Sequence, residues 1–251
     1  MDRSYEARVG LTSSSVTADA AANMGGSWDL FLYNVDNPND TDPRLRLPKN
    51  KGHEAMVYLS YIIDNYDELP WASVFIHGHR NAWHQEDDVV MLLRRLNMTA
   101  LAEIGYISLR CDWYPSCAAE IRPIDHDAIV WGPGVNRQEA ENAIAGNWKQ
   151  LFPGETLPHT IASQCCAQFA VTRAAIRRRP KADYERLRDW LLGTLLVDDV
   201  SGRVLEKLWA YIFTGDAVHC PPPQQCMCQY YGHCSPRIWP QPPEGLPQIP
   251  S

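Results

Sequence analysis

Three histidines fall within eight residues in the run His77-Gly78-His79-Arg80-Asn81-Ala82-Trp83-His84. Imidazoles at that density can ligate a metal, shuttle protons near neutral pH or hydrogen-bond a ligand. His77 lies at what reads as a strand end and His79 beyond it in a glycine-containing loop, and one shared ion is the weaker reading. A second polar stretch runs from Arg110 through Cys111, Asp112, Trp113, Tyr114 and Cys117 to Glu120 and Arg122. Its aromatics, carboxylate and guanidinium suit a pocket wall for a cationic or amide-bearing ligand. They suit equally a packed loop with a structural Glu–Arg pair.

Ser163 and Gln164 precede the adjacent thiols of Cys165 and Cys166 at the expected start of a helix. A helix terminus lowers a thiol's pKa and favours a thiolate nucleophile, whereas a cysteine elsewhere is commonly a small buried apolar residue. Glu206 lies between Leu205 and Leu208 in a strongly apolar helical repeat, where burial would raise its pKa as a general base requires. Asp198 and Asp199 precede it, and Asp199 or Ser201 suits the N-cap of that helix. The segment Arg173 to Arg188 holds seven basic and two acidic residues, a local charge of +5 in a chain of net charge −7. That contrast fits a phosphate-backbone contact, and equally a solvated helix face. Cys220, Cys226, Cys228 and Cys234 give the pattern C-x5-C-x-C-x5-C, which lacks the C-x2-C arms of common zinc sites. Zinc or disulfides, it reads as a staple, with Cys111 and Cys117 as further partners.

The elements that must position these groups alternate. Strands are expected at WDLFLYNV from Trp28, at ASVFIHGH before the first histidines and at residues 106–111. Helices are expected at 53–66, 86–104, 139–151, 165–179, 182–192 and through the repeat Val200, Val204, Leu205, Leu208, Trp209, Ile212 and Phe213. Strands separated by helix-length crossovers predict an α/β domain with a mostly parallel central sheet between helices. Residues 1–27 read as a flexible lead-in, 28–219 as the catalytic domain and 220–251 as an extended, helix-free tail, with nine of the chain's 19 prolines.

The chain has 251 residues, 45% of them hydrophobic and 21% charged, which excludes wholesale disorder and fibrous classes. No apolar run is long enough to span a bilayer, and the first residues lack an apolar signal core, so a cytoplasmic protein with no membrane partner is expected. The acidic balance argues against nonspecific coating of nucleic acid. No G-x4-G-K-[ST] loop is present.

The stretches NKGHEAMVYLSYIIDNYDELP, VFIHGHRNAWH, YISLRCDWYPSCAAEIRP, SQCCAQFAVTR and SGRVLEKLWAYIFTGDAVHCPPPQQCMCQYYGHC resemble, in this order, a fungal domain family of unknown function. Within or near it we place the fungal arginine-containing cyclodipeptide synthases. The resemblance implies an aminoacyltransferase of secondary metabolism that takes arginyl-tRNA and a second aminoacyl-tRNA and releases a diketopiperazine, with no cofactor. More distant relatives look like nucleotide-sugar glycosyltransferases in sheet topology, so a glycosyltransferase-A-like arrangement is allowed. There a pair of metal-binding aspartates would stand where this chain has His77-Gly78-His79, so no metal site is assigned. Under the synthase reading Glu206, Asp199, His77, His79 and Cys165 are the catalytic candidates. Glu54, Arg80, Trp83, Glu120, Arg122 and Gln164 would bind substrate, and Arg173, Arg177, Arg178, Arg179 and Lys181 would hold the tRNA acceptor stem. A glycosyltransferase-like enzyme and a non-catalytic ligand-binding module are the alternatives.

Overall fold

The computed structural model describes residues 7–13, 28–33, 35, 42–77 and 84–249. Five strands form the main sheet in the order β2-β1-β3-β6-β4, where β1 is Ala7–Ser13, β2 Trp28–Leu32, β3 Ala72–His77, β4 Tyr106–Ser108 and β6 Phe169–Thr172. A two-stranded ladder pairs β5 (Ala162–Ser163) with β7 (Val218–His219).

Side chains alternate across a strand, and the two central strands use both faces. Phe75, Phe169 and Val171 point into one hydrophobic cluster with Tyr106 from β4. Val74, Ile76 and Ala170 point into another with Ile107. The register Phe75↔Phe169 and Tyr106↔Val171 lines up the aromatic face. Over it lie α1 (Glu54–Asp64), α4 (Arg137–Leu151), α6 (Lys181–Gly193) and α7 (Asp198–Thr214). The opposite face carries α2 (Val89–Arg95), α3 (Met98–Ile104) and α8 (Pro223–Tyr231). Burying a side chain such as Leu205 or Leu208 contributes about 2–3 kcal/mol each, and both are fully enclosed.

The α/β class with helices on both faces of the sheet holds, but the strand direction does not follow the expectation. Every pairing in the main sheet is antiparallel, and the parallel ladder is the short β5–β7 pair. Crossovers of helix length allow either direction, so spacing alone could not decide it. The N-terminal stretch also differs from a lead-in, since β1 lies between β2 and β3 and pairs with both. Residues 165–179 do not form one helix. They make a turn, the central strand β6 and the short α5 (Arg173–Ile176), which the Thr172 side chain caps by accepting from the Ala175 N–H. The expected helix over 86–104 is split where Asn97 accepts from the Thr99 and Ala100 N–H groups and starts α3 anew.

The proline-rich tail is not helix-free, because Pro223 occupies the first turn of α8, where its missing N–H costs nothing. Two disulfides, Cys111–Cys226 and Cys117–Cys220, fasten this segment to the loop after β4, and Cys228–Cys234 closes its end. The two loops are nested, so by the chain-entropy estimate one bridge contributes about 4–5 kcal/mol and the other, closing a much shorter ring, about 3 kcal/mol. All eight cysteines are bridged, so disulfides and not zinc form the expected staple. No helix among the described residues is long and apolar enough to cross a membrane.

Candidate active site

Gly202 sets the geometry of the site. A Cβ there would sit 2.9 Å from the Gly52 carbonyl oxygen and 2.8 Å from the His53 ring, so only glycine lets α7 pass this close to the start of α1. The approach brings Glu54, the first residue of α1, to the same cavity as Arg203, Glu206 and Lys207 of α7. The cavity measures about 360 Å³. His77 at the end of β3 and His84 line it, as do Pro115 and Glu120 from the loop after β4. The bridged pair Cys165–Cys166 forms part of the wall. An apolar lip of Val130, Trp131 and Val135 stands at one side, with Trp131 edge-on to Tyr114.

Lys207 organises the floor. Its ammonium is buried and lies 2.9 Å from Glu120 Oε2, while donating to Glu206 Oε1 and Ser116 Oγ at 3.2 Å each. Burial works against its charge, yet Glu120 and Glu206 more than offset this and hold it protonated. Glu206 Oε1 also accepts the Cys166 N–H at 3.1 Å, and Arg203 stands 3.9 Å from Oε2.

Glu54 and Glu206 respond to this enclosure in opposite ways. Burial pushes Glu206 up, but Lys207, Arg203 and the Cys166 N–H outweigh it and hold the carboxyl at about 2. Burial also pushes Glu54 up, the charge on Glu206 adds to it, and the carboxyl reaches about 8. One cavity therefore holds an ionised carboxylate and a protonated one at neutral pH, which is how acid and base roles are divided between like groups. Glu206 is not the raised-pKa base that its apolar helix suggested, because three cationic or N–H partners face it.

Of the other expected site residues, His77, Cys165, Glu54 and Glu120 meet Glu206 around the cavity. His79, Arg80 and Trp83 lie outside the described residues. Cys165 carries no thiol, being bridged to Cys166, so the nucleophile expected there is absent in this state. Asp199 is exposed and pairs with His53 Nε2 at 3.1 Å, away from the cavity lining. Arg122 serves its own loop, donating to Asp127, Asp125 and Thr160. Gln164 is buried behind the wall, and its amide has no hydrogen-bond partner among the described residues.

Much of the basic segment works as helix-end capping. Arg177 donates to the Tyr66 and Asp67 carbonyls beyond α1, and Arg178 to those of Phe213 and Thr214 at the end of α7. Arg179 donates to the Ile212 carbonyl and to both oxygens of Glu155, and Arg173 donates to the Leu69 carbonyl. Carbonyls at helix ends lack intrahelical partners and favour cations. Arg173, Arg177 and Arg178 remain exposed and Lys181 half-buried. The α7 contacts lie about 10 Å along the helix from Glu206, at 1.5 Å per residue.

Lys207, Arg203 and the lip went unnoticed in the sequence, whereas His84 belonged to the histidine run. The usable signal was in Arg203-Val-Leu-Glu206-Lys207: a lysine inside an apolar repeat is almost never buried unless paired. Among the described residues, no group of three His, Cys, Asp or Glu side chains is placed to hold a metal ion.

A family model described as "Protein of unknown function (DUF3431)" matches residues 13–229. Neither a curated protein nor a solved structure matches the chain.

Proposed function

Because the chain belongs to the DUF3431 family, whose description assigns no activity, we propose its function from the cavity: it joins arginine, delivered as arginyl-tRNA, to a second aminoacyl group and releases a cyclic dipeptide. The observation that carries this reading is the pairing of protonated Glu54 with ionised Glu206 in one cavity. Aminoacyl-tRNA is already an activated ester, so the protein has to hold two of them and manage one proton per bond.

Glu206 and Glu120, fixed by Lys207, supply negative charge for a guanidinium or ammonium group. The lip of Val130, Trp131 and Val135 offers an apolar surface to the aliphatic stem. A cation beside Glu54 favours its carboxylate form, and an acid near 8 matches the α-ammonium it must deprotonate. The freed amine attacks the neighbouring ester carbonyl, a C–N bond forms, the ester C–O bond breaks, the departing ribose oxygen takes the proton from Glu54, and the new amide nitrogen gives its extra proton back to the Glu54 carboxylate. A second attack, by the remaining amine on the remaining ester, closes the ring. With Cys165 bridged, the transfer is direct. The exposed Arg173, Arg177 and Arg178, with Lys181, serve the RNA in this reading, and a cytoplasmic location and a role in fungal secondary metabolism go with it.

Purified protein incubated with arginyl-tRNA and a mixture of other aminoacyl-tRNAs should release an arginine-containing diketopiperazine, detected by mass spectrometry. Glu54→Gln should lower its rate by roughly 100-fold or more without lowering the melting temperature. Charged tRNA left intact at every salt concentration defeats the proposal, and hydrolysis of nucleotide sugars by the same sample would give the site to sugar transfer.

A further inference from the structure

The bridge between Cys165 and Cys166 is explained neither by the fold nor by the reaction above. A disulfide stabilises a fold chiefly by restricting the unfolded chain, and between adjacent residues there is almost no loop to restrict. The other bridges span sequence separations of 115, 103 and 6 residues, against 1 here. This one fastens no element to another. It does face the cavity, and Cys166 is only partly buried. The backbone it holds is also rare for side-chain-bearing residues: φ is 84° at Cys166 and 49° at Ala167, both left-handed. In that conformation the Cys166 N–H donates to Glu206 Oε1.

We propose that Cys165–Cys166 is a thiol–disulfide exchange site, open through the cavity to dithiol reductants, whose state sets the hydrogen bond from Cys166 to Glu206. A thiolate of the dithiol attacks one sulfur, and the other leaves as a thiolate and takes a proton. The second thiol of the reductant then displaces the first cysteine and closes its own disulfide. Two electrons and two protons pass to the cysteines, and the dithiol departs oxidised. Without the covalent link, positive φ at Cys166 is no longer imposed, and that residue relaxes to ordinary backbone angles with its N–H turned from Glu206. Cys111 and Cys226 are at most 1% exposed and their bridge is shielded from the same reagent, whereas Cys220 is only partly buried and Cys234 is exposed, so Cys117–Cys220 and Cys228–Cys234 lie open to it. The exchange is independent of which substrate the cavity takes.

The test titrates the native full chain with dithiothreitol, alkylates it with iodoacetamide and maps the peptides, while amide hydrogen exchange is followed across residues 163–168. The expected result is double alkylation of the Cys165–Cys166 peptide at dithiol concentrations that leave the buried Cys111–Cys226 bridge intact. Exchange at Cys166 should quicken roughly tenfold or more. A C165A/C166A variant, unable to bridge, should exchange at the fast rate with or without dithiol. Opening of the pair only together with the buried Cys111–Cys226 bridge, as the protein unfolds, overturns the proposal. So does opening with unchanged exchange at Cys166.

Discussion

On one face of the main sheet, α1, α4, α6 and α7 run for 11, 15, 13 and 17 residues and interlock through Tyr58, Trp148, Tyr184 and Trp209. On the other, α2, α3 and α8 run for 7, 7 and 9 residues, and the bridges Cys111–Cys226, Cys117–Cys220 and Cys228–Cys234 gather there. Helices that short are marginal by themselves and offer few side chains to bury. Covalent links replace the missing apolar contact. The cavity lies where the two regimes meet: Glu54, Glu206 and Lys207 come from the long-helix face, while Pro115 and Glu120 come from the loop that Cys117 ties down. The spacing of its carboxylates thus depends on both kinds of support.

The sharpest way to break this comparison is to remove one support at a time. Replacing Cys111 and Cys226 together by alanine should cost about 3 kcal/mol in chemical denaturation, since Cys117–Cys220 still closes most of the loop. Hydrogen exchange should rise first in α8 and α2 while α1 and α7 stay protected. Trp209→Ala should cost about 4 kcal/mol with the opposite pattern, and equal loosening of both faces by either variant would refute the division.

A finer contrast lies between the two carboxylates. For Glu54, folded and unfolded forms are both protonated below the ordinary value of 4.5. As pH rises from there to about 8 the unfolded chain ionises first, so stability is lost across that window. Glu206 acts in reverse: its contribution, about 3 kcal/mol, is present above 4.5 and disappears as pH falls toward about 2. Urea midpoints across pH should show Glu54→Gln flattening the alkaline limb and Glu206→Gln the acid limb. Flattening of the same limb by both would mean that the cavity does not divide them.

The smallest expected effect is that of Gly202→Ala, about 1–3 kcal/mol, because its methyl meets the Gly52 carbonyl and the His53 ring. Its use is diagnostic. Moving α7 away from α1 should bring the alkaline limb part of the way toward that of Glu54→Gln, and an unchanged limb would detach Gly202 from the site.

Much of this was legible in the residues themselves. The repeat from Val200 to Phe213 gives α7 directly, and the apolar run of ASVFIH gives β3, because strong periodicity and composition survive any tertiary context. The strand Phe169–Thr172 was hidden in a stretch that also fits a helix, since so short an apolar run cannot be assigned by period alone. Ala7–Ser13 is interrupted by Gly10, and what makes it a strand is the pairing it finds on both sides. Glu54, Glu120, Glu206 and His77 were recognised as chemically able residues and do converge. The ionisation of Glu206 was not legible, because Lys207, Arg203 and a backbone N–H, whose positions only the fold supplies, outweigh its burial.

The bridge from Cys111 to Cys226 encloses the one from Cys117 to Cys220. A protease that severs the backbone anywhere between residues 118 and 219 therefore yields two pieces still sewn together twice. Such a nicked molecule migrates as an uncut chain until its sulfurs are reduced, and it keeps both cavity walls in register while carrying new termini of its own.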